Sequence, residues 1–155
     1  LKVQHKSDTV ALECRQLLDH YHERAQRFGS VFQPRMDGCL ARYLQNMVLK
    51  ESYTEYPGLF AWAHDLVLRT ALLRFLTISH PWLDPWLEPQ ENTDSTHTEA
   101  SLDYALDVFD KAIVEVMFRF SRGLEHNTRF LPQLKQSLQE QSMLDLPHSI
   151  LLLKL

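Results

Sequence analysis

A chain of 155 residues with 45% hydrophobic content fits one domain with a single core. Its formal net charge of −4 excludes a general electrostatic footprint for nucleic acid, which needs lysine and arginine clustered on one face. Cys14 and Cys39 are the only cysteines; they show neither zinc-finger spacing nor a disulfide framework and cannot hold an iron–sulfur cluster alone, so a cytoplasmic location is the simplest reading.

The chain opens Leu1-Lys2-Val3 with no initiator methionine or signal-like apolar stretch, as expected of a processed or partial chain. Val10, Cys14, Leu17, Tyr21, Ala25 and Phe28 recur at helical spacing, with Ser7 or Asp8 as N-cap and Gly29 just past the end. Pro34 then opens a second helix whose face carries Met36, Leu40, Tyr43, Leu44, Met47 and Val48, and which ends before Pro57. From Leu59 to Ile78 the sequence is apolar almost all round, as expected of a central helix surrounded by others. His64, Asp65, Arg69 and Arg74 are too costly at the centre of a bilayer for that stretch to be a membrane span.

Residues 80–98 break the periodicity with Pro81, Pro85 and Pro89 and a polar run, which predicts a long exposed loop. Pro-Trp-Leu occurs twice there, so Trp82 and Trp86 suit an aromatic clamp or a partner-docking motif, unless both fold back on the core. Periodicity resumes from Glu99 to Arg122 through Leu102, Leu106, Phe109, Ala112, Ile113, Val116, Met117 and Phe120, and ends at Gly123. Asn127 can cap a further helix carrying Leu131, Leu134 and Leu138, and Pro147 opens a last apolar segment. With no convincing alternating strand, the fold class is all-α: about five or six helices around the central apolar helix, in one domain over residues 1–155.

Few residues carry a chemical signal of their own. Glu125 and His126, in the turn Gly123-Leu-Glu-His-Asn127, can face a cleft as an acid–base pair, or be solvated residues between two helix caps. Tyr43 and Asn46 lie on one helical face and can turn their polar tips toward a ligand or toward a structural hydrogen bond. Arg69 and Arg74 interrupt the most apolar helix, and buried arginine needs a carboxylate partner. Asp65, four residues before Arg69, offers one; Arg74 has no such local partner. The eight histidines form no HxxxH or HExxH pattern, which gives no metal site, and four glycines form no GxGxxG, phosphate-binding loop or GxSxG.

Ser121-Arg-Gly-Leu-Glu-His-Asn127, followed by Phe130-Leu-Pro-Gln-Leu-Lys-Gln-Ser-Leu138 and closing with Ser149-Ile-Leu-Leu-Leu-Lys-Leu155, is similar to the C-terminal end of the flagellin lysine-N-methylases, the FliB family. Ala41-Arg-Tyr-Leu-Gln-Asn-Met47 and Leu66-Val-Leu-Arg-Thr-Ala-Leu-Leu-Arg-Phe75 resemble the YLxN element and the arginine-bearing helix found there in the same order. The resemblance implies the C-terminal part of a longer enzyme that uses S-adenosylmethionine to methylate surface lysines of flagellin. It implies as well an N-terminal, cysteine-rich part with an iron–sulfur cluster that this chain lacks. On that reading Glu125, His126 and Tyr43 are the catalytic candidates, and Arg74, Arg69 and Asn46 the cofactor-binding ones. Flagellin and the N-terminal part of the enzyme are the expected partners, with no nucleic acid and no membrane. Two other classes fit an apolar central helix with a few inward polar residues: the ligand-binding and dimerisation half of a helical transcription regulator, and a helical adaptor that docks partners through Trp82 and Trp86.

Overall fold

The computed structural model of the chain describes residues 2–87, 99–127, 129–142 and 148. The described elements are helices α1 (Lys2–Val31), α2 (Gln33–Lys50), α3 (Leu59–Ile78), α4 (Asp84–Leu87), α5 (Glu99–Phe120) and α6 (Phe130–Glu140), and no strand occurs among the described residues. The all-α expectation therefore holds. None of the described helices is long and apolar enough to cross a membrane.

The helix expected to stop at Gly29 instead runs from Lys2 to Val31. A glycine ends a helix by adopting the left-handed conformation, and no described glycine has a positive φ. The interruption comes from Pro34, which cannot donate a backbone hydrogen bond and whose ring clashes with the carbonyl one turn back. It is brief: the Phe32 N–H still bonds Phe28 O at 2.8 Å, and the Met36 N–H bonds Phe32 O at 2.9 Å. The second helix meets its expectation more closely, with Pro34 in its first turn and Met36, Leu40 and Met47 buried.

Helical hydrogen bonding carries across Phe32, and the rings of Phe28 and Phe32, one turn apart, meet the same neighbour on α5. Phe28, Phe32 and Phe109 of α5 are fully buried, and the Phe32 and Phe109 rings stack at 5.4 Å and 12°. Ala112, Ile113, Val116 and Phe120 continue this core along α5, on the face its periodicity predicts. Helix α3 packs against α1, α2 and α5, the central place expected of it. Its apolar character exceeds what that place buries, however: Leu59, Phe60 and Phe75 remain exposed.

The stretch expected to be an exposed loop opens differently. Pro81–Leu83 forms a 3₁₀ turn and Asp84–Leu87 a helical turn, each with its proline in the first turn, where no backbone donor is needed. Leu83 and Leu87 are fully buried. Two arginines of α1 fasten these turns. Arg24, 4% exposed, donates from Nε and Nη2 to Ile78 O at 3.0 and 2.9 Å and from Nη1 to Asp84 at 2.8 Å. Arg27 donates to Leu87 O at 2.6 Å. Residues 88–98 of the expected loop, and the apolar segment after Pro147 apart from His148, lie outside the described residues.

His80 caps the 3₁₀ turn, its Nδ1 accepting from the Trp82 N–H at 3.3 Å. Burial holds its imidazole below the ordinary histidine range, although nearby Glu115 works in the opposite direction. A histidine whose folded value is depressed adds stability above its unfolded value of 6.5, and that stability is lost as pH falls below it. His80→Asn, which keeps a capping acceptor, is therefore expected to flatten the decline in unfolding free energy between about pH 7 and 5. Urea titrations of both proteins across that range check this; parallel declines would exclude His80 as a contributor.

Candidate functional site

A dense group of buried charge lies where α2 ends and α3 begins, with the Lys135 side chain reaching in from α6. Asp65, on the second turn of α3, is 1% exposed. Its Oδ2 accepts from Arg69 Nε at 2.5 Å and from the Tyr56 hydroxyl at 3.3 Å, while its Oδ1 bonds Lys135 Nζ of α6. Glu51, just past the end of α2, accepts from the Tyr56 hydroxyl at 2.8 Å and lies 3.6 Å from Arg69 Nη1. Two carboxylates thus face two cations around one phenol.

These neighbours fix the protonation states. Burial alone would make Arg69 easier to deprotonate, but Asp65 and Glu51 more than offset that and hold its guanidinium more firmly charged than usual. Burial, the hydrogen bond to Glu51 and the two carboxylate charges all push the Tyr56 phenol well above its ordinary value. Tyr56 is a hydrogen-bond donor here and not a base.

Beside this group opens a cavity of about 460 Å³, lined by Tyr56, Phe60, Ala61, His64, Leu68 and Lys135. That size is within the roughly 300–1,000 Å³ of ligand pockets. Phe60 and His64 meet edge to face at 4.6 Å, and Lys135 Nζ sits 5.8 Å from the centre of the Tyr56 ring. The arrangement can bind a cationic group against a buried carboxylate and an aromatic face. A second cavity, of about 370 Å³, lies between Leu76, His80, Val116, Arg119, Phe120 and Gly123.

The structure brings only some of the sequence candidates together. Arg69 is at the centre of the charged group, paired with Asp65 as the four-residue spacing predicts. Tyr43 lies near Arg69, with its ring edge-on to Phe120 at 6.5 Å. Asn46 is exposed. Arg74 lies against the Tyr21 hydroxyl, and its Nε is buried without a hydrogen-bond partner. The end expected at Gly123 is a π turn, Ser121–Glu125, closed by the His126 N–H bonding Ser121 O at 3.2 Å. His126 is exposed there, and the Glu125 side chain is outside the described residues. Asn127 caps α6 as expected, its Oδ1 accepting from the N–H groups of Arg129 and Phe130 at 3.0 and 3.3 Å. The two tryptophans separate: Trp86 packs on the core and on Tyr104 at 5.9 Å, whereas Trp82 is about half exposed and edge-on to His80 at 4.9 Å.

Glu51, Tyr56 and Lys135 were not among the sequence candidates. Glu51 and Tyr56 flank the break before α3, where no periodicity marks them, and Lys135 reaches Asp65 only through the packing of α6. Among the described residues no three His, Cys, Asp or Glu side chains are grouped to hold a metal ion.

The described residues form an all-helical domain with a cavity between helices beside a buried carboxylate, and without a nucleotide-binding sheet. The chain belongs to the FliB lysine N-methylase C-terminal domain family, whose sequence pattern matches residues 3–152. No curated protein and no solved structure matches it.

Proposed function

We propose that the chain is the C-terminal helical part of an S-adenosylmethionine-dependent enzyme that methylates surface lysines of flagellin in the cytoplasm. Family membership over residues 3–152 carries this reading. The Asp65 site supports it chemically, since a buried carboxylate and an aromatic face beside a cavity suit an amine-bearing side chain.

S-adenosylmethionine supplies a sulfonium methyl group when bound. The described residues do not fit it by themselves. Arg69 is occupied by two carboxylates, Asn46 is exposed, and the lining of the cavity beside Tyr56 has no carboxylate for ribose hydroxyls. Arg74, which meets the Tyr21 hydroxyl, keeps one buried donor, its Nε, without a partner among the described residues. The domain therefore serves the lysine side of the reaction, and the N-terminal part of the enzyme is the partner that completes the cofactor site. Glu125, His126 and Tyr43 are the groups proposed to take the proton that lysine loses before it attacks.

Flagellin methylation by the complete enzyme, read as methyl-lysine by mass spectrometry, tests this reading. Modified flagellin is the expected result, with little heat when S-adenosylmethionine is titrated into this chain alone. Unmodified flagellin would sink the reading, and tight cofactor binding by the chain alone would move the cofactor site into these helices. Arg74→Ala and His126→Ala are expected to lower methylation while helical content by circular dichroism is kept. Unchanged methylation in both removes them from the site.

A further inference from the structure

We propose that Asp65 and the Tyr56 ring form a receptor for the ammonium of a substrate lysine, and that Lys135 is its built-in occupant. Three observations support it. First, the site already holds a lysine: Lys135 reaches from α6 to bond Asp65 Oδ1, with its ammonium over the Tyr56 ring at 5.8 Å. A carboxylate and a ring face are what an ammonium group needs once it leaves water.

Second, the charge balance leaves one vacancy. Asp65 and Glu51 face Arg69 and Lys135, and Arg69 is held by both carboxylates. When Lys135 withdraws, two negative groups face one positive group around a floor that is 1% exposed. Asp65 then keeps Arg69 and the Tyr56 hydroxyl on Oδ2, but its Oδ1 has lost its cation, a place that one further ammonium group can take. Third, the cavity next to Lys135 is walled by Tyr56, Phe60, Ala61 and Leu68, which suit the methylene stem of a lysine better than a bare metal cation.

Withdrawal is mechanically simple. Among the described elements α6 packs chiefly on the π turn, and Lys135 is about one-third exposed, so its side chain can swing out without disturbing the aromatic core. Lys135 thereby competes with incoming lysines and sets how strongly the site discriminates among them.

The identity of the ligand as a protein lysine rests on the methylase reading; the ammonium site does not. Calorimetric titration of n-butylammonium chloride into the chain, at constant ionic strength, tests the site directly. Lys135→Ala is expected to bind the probe at least about tenfold more tightly than the parent, a difference of roughly 1.4 kcal/mol. Adding Asp65→Asn, or Tyr56→Leu, to that variant is expected to remove the gain, with helical content checked by circular dichroism. Equal affinity in parent and Lys135→Ala overturns the proposal, as does displacement of the probe by an equal concentration of sodium ion. Loss of helical content in both Lys135→Ala and Lys135→Gln also overturns it, because the lysine would then be a structural pair that the fold cannot release. Probe binding together with unmethylated flagellin keeps the site and rejects the methylase reading; methylated flagellin with no gain in probe affinity does the reverse.

Discussion

Replacing Asp65 with alanine is expected to lower the unfolding free energy by about 3–5 kcal/mol, as removal of one member of a buried ion pair does. The carboxylate is 1% exposed and is shared by Arg69, Lys135 and the Tyr56 hydroxyl, so its loss takes a partner from two cations and one donor. Arg69, whose side chain is 11% exposed, is the main source of the penalty, since it loses its closest carboxylate while Glu51 lies farther off at 3.6 Å. Lys135 is about one-third exposed and can turn to water, so Lys135→Ala is expected to cost only about 1 kcal/mol or less. Urea unfolding of the two variants gives the comparison. An Asp65→Ala cost near that of Lys135→Ala would mean that water already screens the group and that it is no buried site.

The asymmetry between Asp65 and Lys135 also bears on function. A site that must release one partner and keep the others needs one weakly held cation and one firmly held one. Arg69 has the fixed, bidentate-capable guanidinium and two carboxylates; Lys135 has a flexible stem and pairs with Asp65. Tyr56 links the two carboxylates through its hydroxyl, so the floor keeps its shape whichever cation occupies it.

Local signals carried most of the fold. The apolar periodicity of α2, α5 and α6 marks faces that are largely turned inward, apart from the exposed Val48 and Leu102, and the Asn127 cap and the Asp65–Arg69 pair follow from spacing alone. What the sequence left hidden depends on contacts between distant residues. Arg24 looks like any surface arginine of an amphipathic helix until α1 meets the end of α3, where it satisfies the Ile78 carbonyl. Pro-Trp-Leu reads as a loop because prolines break long periodicity, yet each proline sits where a short helical turn can begin. The candidate site is hidden for the same reason: of its four charged residues, only Asp65 and Arg69 lie within one helical turn of each other.

The apolar run of α3 points to that helix as the core, whereas the burial pattern places the best-packed aromatic centre at the α1–α2 junction against α5. Phe109→Ala tests which view governs stability. Its ring is fully buried, stacked on Phe32 and 5.9 Å from Phe28, so removal leaves a cavity that three helices cannot close without moving. The expected cost is about 3–5 kcal/mol, transfer and cavity terms together. Phe60→Ala removes a ring of the same size from α3, but that ring is 53% exposed on the wall of the larger cavity, and its expected cost is below about 1 kcal/mol. Equal costs in urea unfolding would place the structural centre on α3 and make Phe60 a core residue. The expected inequality leaves Phe60 replaceable for stability, so its ring is available to the cavity and its substitution can be read in binding without confusion with folding.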